Sequence, residues 1–218
     1  MPELSGLHVV DGLVLPGKLR RLLRPGELVR GRDGLVRRLP RWFYEIPSWN
    51  VALETSLAPH YKLWEFLDVD LREDEMLRIS GPRYVPLAVT LLAGALEARR
   101  QEVNTYVHIA ANGGYRSPAH RLGGHTSVHC WGTAVNVYRI GDDWMDNEKT
   151  ITRYGEIART VFPAFRALPY GHGVGETDDH LHLDVGYAVV APHGGGDEND
   201  VAGAEPLRDE DETETDEG

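Results

Sequence analysis

The chain has 218 residues, of which 41% are hydrophobic and 26% charged, proportions that suit one globular domain with appendages. The formal net charge is −11, but Gly195 to Gly218 contain 11 acidic residues and one basic residue, so the remainder, with 22 basic and 23 acidic residues, is nearly neutral. This balance argues against a uniformly basic nucleic-acid-binding protein.

The absence of long apolar runs gives a first indication of location. No stretch approaches the roughly 18 consecutive apolar residues of a membrane helix, so no transmembrane segment is expected. The N-terminal residues lack a basic start followed by an apolar run, so we expect no signal peptide and a chain that is cytoplasmic as synthesised. The single cysteine, Cys130, excludes an internal disulfide framework and fits a reducing compartment. Its position in the chain predicts a buried core thiol, in preference to a nucleophile.

Residues 1–55 predict a basic N-terminal extension. Between Lys18 and Arg41 there are nine basic residues against Glu27 and Asp33, and glycines and prolines break the segment into turns or short strands. A solvated arm is the interpretation that this composition favours, with docking on an anionic surface as the alternative. At the other end, residues 193–218 predict an acidic, disordered tail, because they have almost no large apolar residues to bury.

The predicted elements between these ends mix helices and strands. Residues 57–67 indicate a turn into a short amphipathic helix, and residues 82–100 a longer helix with Leu87, Leu91, Leu92 and Leu96 on its apolar face. Residues 105–110, 131–138 and 181–185 are strand candidates, and residues 150–162 indicate a helix that ends before Pro163. Without regular β-α-β alternation, this order favours an α+β fold.

Histidines in two short clusters far apart in the sequence carry the chemistry. His125 and His129 lie in the first cluster, and His180 and His182 in the second. Strand alternation places His180, His182 and Asp184 on one face. Since a catalytic zinc needs three protein ligands and an open position for water, His129, His182 and one oxygen donor predict such a site, with His180 beside it as a general acid or base.

Three motifs in this order resemble the zinc D-Ala-D-Ala carboxypeptidase family, which has Hedgehog-like and phage endolysin relatives. They are G-Y-R-S at 114–117, S-x-H-x-x-G-x-A-x-N at 127–136 and H-x-H at 180–182. The resemblance covers about residues 57–187 and implies a metallopeptidase domain over residues 56–192. The fold that it implies has a small central antiparallel sheet flanked by helices.

The resemblance also implies roles for individual residues. His129, Asn136 and His182 would be the ligands of one zinc ion, and His180 would be the catalytic base or acid. Arg116 would be catalytic and substrate-binding, holding a substrate carboxylate or the developing oxyanion, since its planar guanidinium pairs with carboxylates through two bonds. Ser127 would contribute to substrate binding. Asp184, on the strand face of His182, would orient that ligand from behind.

Asn136 departs from the family motif, which has aspartate at this position. An amide oxygen can coordinate a metal but brings no negative charge, so zinc affinity is expected to be weakened. Three outcomes stay open from the sequence: an active peptidase with a modified ligand set, a metal-bound but slow enzyme, and a metal-free binding domain.

The function that the resemblance implies is zinc-dependent hydrolysis of peptidoglycan stem-peptide bonds, as a carboxypeptidase or an endolysin-like endopeptidase. The alternative is a metal-poor, non-catalytic module that binds peptidoglycan, or that serves a larger phage-tail-like or injection assembly through the N-terminal extension. A protein released by lysis, or carried in a particle, would reach the cell wall without a signal peptide.

Overall fold

The computed structural model describes residues 7–122, 124 and 126–192. The predicted acidic tail, 193–218, and His125 lie outside the described residues. Helices and small antiparallel sheets are mixed along the described chain, so the predicted α+β class is confirmed. Of the helices described, none is long and apolar enough to cross a bilayer.

The elements follow one another in short segments. The helices are α1 (Gly17–Leu23), α2 (Trp49–Glu54), α3 (Glu75–Arg78), α4 (Val89–Val103) and α5 (Glu148–Val161). The strands are β1 (His8–Asp11), β2 (Leu28–Arg30), β3 (Val36–Arg38), β4 (Trp42–Ile46), β5 (Ser56–Ala58), β6 (Tyr61–Lys62), β7 (Arg83–Pro86), β8 (Val107–Ile109), β9 (Ala134–Ile140), β10 (Asp143–Trp144), β11 (Arg166–Ala167) and β12 (Leu181–Asp184). Short 3-10 turns span Gly12–Val14, Leu63–Phe66 and Val128–Trp131.

A five-stranded antiparallel sheet forms the centre of the molecule. Its strands run in the order β10-β9-β12-β11, and the fifth strand, β8, also pairs with β9. Leu181 and Leu183 of β12 are fully buried in the same core as residues of α4 and α5. The residues between and after them, His182 and Asp184, therefore lie on the opposite face, as does Asn136, which pairs with His182. We call this opposite face the outer face of the sheet.

A β-bulge at Tyr138 changes the alternation of β9. His108 pairs with Arg139 whereas the next residue of β8, Ile109, pairs with Val137, so Tyr138 is the extra residue. Val137 and Ile140 are buried in the core, and the two residues between them are only partly buried. Tyr138 and Arg139 thus both project from the outer face.

The predicted solvated arm is wrong, because the basic segment is folded against the rest of the chain. Helix α1 contributes Leu19 and Leu23 to a small core with Phe43, and the indole Nε1 of Trp131 donates to the backbone oxygen of Arg38 at 2.9 Å. Apolar residues spaced between the arginines supply the surface that is buried. Strand β4 also pairs with β1 and with β7, so the predicted N-terminal extension shares a sheet with the predicted main domain.

Two predicted helices differ in the structure. The segment expected as a helix from residue 82 begins as strand β7, and α4 begins only at Val89, because residues 83–86 pair with β4. Leu91 is 39% exposed and does not belong to the buried face that was predicted. The segment 57–67 forms the hairpin β5-β6 and a 3-10 turn in place of an amphipathic helix. Long-range pairing with β4 overrides the local helical spacing in the first case, and a local hairpin does so in the second.

Candidate functional site

His129 is held by a short 3-10 turn that ends at Gly132, whose φ of 70° is in the left-handed region. The predicted strand 131–138 therefore starts later, at Ala134. His129 is buried, and its Nδ1 lies 2.8 Å from the backbone oxygen of Gly114. Since a carbonyl can only accept, Nδ1 carries the proton and Nε2 keeps its lone pair. This is the tautomer in which a histidine binds a metal through Nε2.

The turn that carries Arg116 is held by close backbone contacts that leave no room for a Cβ at Gly113 or Gly114. A Cβ on Gly114 would lie 2.4 Å from the backbone oxygen of Phe66, and one on Gly113 would lie 2.7 Å from that of Asn136. Neither glycine has a positive φ, so the absence of a Cβ is what the turn requires. Ser117 anchors the end of the turn, since its hydroxyl and its N–H both donate to the buried Glu73, at 2.6 and 2.9 Å.

Asn136 and His182 face each other across the neighbouring strands β9 and β12. Their Cα atoms are in register, and Nδ1 of His182 lies 3.0 Å from Oδ1 of Asn136. The other ring nitrogen, Nε2, lies 3.1 Å from Oδ2 of Asp184. Asp184 is buried, and its second oxygen accepts from the N–H of Gly186 at 2.9 Å. A carboxylate behind a histidine in this way orients the ring and makes it a stronger ligand.

The two histidines predicted as ligands, His129 and His182, converge from different elements. The ring centroids of His129 and His182 are 5.2 Å apart, with the rings inclined at 67°. Burial lowers the pKa of His129 well below its usual range, and the neighbouring Arg116 and His182 lower it further. His129 is thus neutral, as a metal ligand has to be.

Arg116 lies beside these histidines with its guanidinium largely buried. Its backbone N–H donates to the backbone oxygen of His129 at 3.4 Å. Burial lowers the pKa of Arg116 to about 10, which leaves the side chain charged at neutral pH. Within the described residues, Nε of Arg116 has no hydrogen-bond partner. A buried cation with a free donor is suited to receive an anionic group.

His180 stands at the edge of the site, immediately before β12. Its Nδ1 is bonded to the carboxylate of Asp179, and its side chain is 27% exposed. Burial lowers the pKa of His180, and Asp179 opposes this shift. The ring therefore keeps Nε2 for exchange of a proton, with solvent within reach.

The structure brings together most of the residues that the motifs predict. His129, Asn136, His182, Asp184, Arg116 and His180 lie in one region, and Ser127 is half-buried just before the turn that holds His129. Sequence reasoning missed Asp179 and Glu73, which position His180 and the Arg116 turn. Asp179 is the direct neighbour of His180 and was visible as such; Glu73 is 44 residues from Ser117 and carried no signal.

Two atoms of the predicted donor set have a spacing close to that of two zinc ligands, but the set lacks negative charge. Two ligand atoms of one tetrahedral zinc lie about 3.4 Å apart, close to the 3.0 Å between Nδ1 of His182 and Oδ1 of Asn136. The described residues contain no group of three or more His, Cys, Asp or Glu side chains placed to hold a metal. A third ligand is present only if the Asn136 amide serves as one, and that ligand is neutral.

The described part of the chain is thus an α+β protein with a buried, histidine-rich site on the outer face of its central sheet. Comparison with protein-family models, with curated proteins and with solved structures finds no match to this chain.

Proposed function

We propose that this protein is a zinc-dependent hydrolase of peptidoglycan stem-peptide bonds, similar to the D-Ala-D-Ala carboxypeptidases and their endolysin relatives. The observation that carries the proposal is the contact between His182 and Asn136. Because Nε2–H of His182 donates to the Asp184 carboxylate, Nδ1 and the amide oxygen face each other as two acceptors. Such a pair needs a proton or a cation between its members. His129 offers its free Nε2 from the adjacent turn.

In this proposal each side chain has a distinct task. His129, Asn136 and His182 hold the ion, which when bound would polarise the scissile carbonyl and acidify a water molecule. Arg116 binds the carboxylate of the stem peptide or the oxygen that becomes negative during attack. His180, held at Nδ1 by Asp179, accepts a proton at Nε2 and passes it to the leaving amine.

Asp184 supplies part of the negative charge that is lost because this chain has asparagine at position 136, where the family motif has aspartate. Its negative charge is one hydrogen bond away from His182, and the buried geometry reduces screening by solvent. A carboxylate in this position strengthens the histidine as a ligand and returns to the site part of the charge that Asn136 does not supply.

The alternative is a non-catalytic module that binds peptidoglycan through the same site. It is favoured by Asn136 itself, since an amide turned to present its nitrogen would donate to Nδ1 of His182 and satisfy both side chains without a metal. The neutral donor set beside the cationic Arg116 also works against a divalent ion.

The test combines metal content with cleavage of muropeptides. We expect about one zinc per chain after purification in zinc-containing buffer, loss of the metal in His129→Ala and His182→Ala, and release of stem-peptide fragments by the wild type only. His172→Ala, which changes an exposed histidine, is the matched control. A folded wild-type protein that binds muropeptides equally with and without zinc, and cleaves none, would support the binding module.

A further inference from the structure

A second pocket opens on the outer face of the sheet, beside the candidate metal site. Its volume is about 190 Å³, and its lining residues are Trp64, Glu65, Asp68, Tyr106, His108, Ile109 and Tyr138. We call it the aromatic–acid pocket. It adjoins the metal site because Asn136 and Tyr138 are two residues apart on β9, a spacing of about 7 Å along a strand.

Aromatic rings form a continuous row through this pocket. The ring of Tyr106 lies 4.6 Å from that of His108, which lies 5.7 Å from that of Tyr138. Tyr138 lies on this face by the strand alternation that it shares with Asn136, and the bulge in β9 brings Arg139 to the same face. Trp64 lines the pocket from the 3-10 turn after β6. Three of these side chains, Trp64, Tyr106 and Tyr138, present electron-rich rings of the kind that attract cations.

Two carboxylates line the same pocket, Glu65 and Asp68, and the only cation of the described chain whose charge is seen to act on either of them is Arg83, on Asp68. Glu65 is 8% exposed, and among the described residues its oxygens accept from the N–H of Lys62 at 2.7 Å and from the hydroxyl of Tyr106 at 2.5 Å. Within the described residues neither Glu65 nor Asp68 forms an ion pair with a lysine, arginine or histidine. A carboxylate that is buried without a counter-charge is costly, and a cationic ligand would remove that cost.

The positive group beside Tyr138 on β9 is Arg139, which is engaged by two neighbouring rings. Arg139 donates from Nη2 to Nε2 of His108 at 3.0 Å, and its guanidinium lies over the ring of Trp144. As the acceptor of that bond, His108 is neutral, and burial together with Arg139 lowers its pKa. The pocket therefore combines two carboxylates and three aromatic rings with no free cation among its lining residues.

We propose that the aromatic–acid pocket binds an alkylammonium group, with the cation against the rings of Trp64, Tyr106 and Tyr138 and its charge balanced by Glu65 and Asp68. A neutral sugar would leave the charge of Glu65 uncompensated, and an anion would be repelled. A consequence that rests on the proposed function is that the pocket receives the amine-bearing side chain of a diamino acid in the bound peptide.

The test measures binding of small probes to the full-length protein by calorimetry and by chemical-shift changes of the tryptophan side chains. The probes are Nα-acetyl-lysine amide, Nα-acetyl-norleucine amide as the analogue without the ammonium group, tetramethylammonium and N-acetylglucosamine. We expect the lysine derivative to bind at least about tenfold more tightly than the norleucine derivative. Asp68→Asn and Trp64→Ala should each weaken binding several-fold, and Trp64→Phe should retain most of it. Glu102→Gln, an exposed charge change on α4, is the matched control.

The outcomes separate this proposal from the hydrolase proposal, because the probes need neither zinc nor cleavage. Equal binding of the lysine and norleucine derivatives, binding of the sugar alone, or no binding of any probe would overturn the pocket assignment. Binding of tetramethylammonium without the lysine derivative would support a cation pocket but overturn the link to a diamino acid side chain. Ammonium binding by a protein that cleaves no muropeptide would leave the pocket assigned and the hydrolase proposal rejected.

Discussion

Nδ1 of His182 lies 3.0 Å from Oδ1 of Asn136, on two strands whose pairing sets their Cα atoms in register. The distance follows from backbone hydrogen bonds between β9 and β12, so the two side chains are brought together before any ligand binds. Such preorganisation lowers the entropy that ligand binding has to overcome. The charge at position 136 is then the variable that decides how strongly a cation is held.

Replacing Asn136 by aspartate should raise the affinity for zinc. Carboxylate is nearly isosteric with the amide but adds a full negative charge to the ligand set, and we expect a gain of at least about tenfold, or about 1.4 kcal/mol. Competition with a fluorescent chelator measures it. Unchanged affinity in the folded variant would show that residue 136 is not a ligand.

Asp184→Asn should weaken zinc binding by about 10- to 100-fold, as the loss of a carboxylate behind a ligating histidine commonly does. The amide can still accept from the N–H of Gly186, so the local backbone should be preserved. Asp142→Asn, an exposed carboxylate in the turn between β9 and β10, is the control and should leave affinity unchanged. Equal effects of the two substitutions on zinc affinity would show that Asp184 does not contribute to the site.

Gly114→Ala should destabilise the fold by about 2 kcal/mol or more, since the added Cβ would overlap the backbone of Phe66 and cannot be relieved by a side-chain rotation. Gly94→Ala is a control for which we expect the opposite effect on stability. Gly94 is exposed in the middle of α4 with open space around it, and alanine there should stabilise by about 0.5–1 kcal/mol. Urea unfolding followed by circular dichroism measures both. A stable Gly114→Ala variant would contradict the close approach.

Protonation of His120 should lower the free energy of unfolding as the pH falls. Burial, with Arg116 beside it, lowers the pKa of His120 to about 4. Its Nε2 donates to Asn112 and its Nδ1 accepts from the N–H of Leu122, each at 3.0 Å, so protonation of Nδ1 would break a bond.

The unfolded chain takes up this proton near its ordinary pKa of 6.5, whereas the folded chain does not until about pH 4. Stability is therefore lost between these two values, as the pH drops. His120→Gln should reduce the slope of unfolding free energy against pH in this window, by up to about one proton. His8→Gln, at an exposed position, should not. An identical slope in wild type and His120→Gln would exclude His120 as a source.

The sequence by itself determined which residues could carry chemistry and how some of them are arranged. Alternation within β12 put His182 and Asp184 on one side and Leu181 and Leu183 in the core, because successive side chains of a strand point in opposite directions. The spacing from Thr150 to Phe162 likewise predicted a helix, and α5 runs from Glu148 to Val161. These features depend on local periodicity, which can be read from a single segment.

Only the tertiary structure decided what lies around those residues. The carbonyl of Gly114 behind His129, the anchoring of Ser117 by Glu73 and the bulge that brings Arg139 to the outer face all depend on segments far apart in the chain. The basic segment folded, against the composition-based prediction, because its scattered leucines find partners in β4 and at Trp131. Strand pairing and burial between distant segments depend on which surfaces of the folded chain come into contact. A local sequence pattern carries no information about these contacts, so it could not predict them.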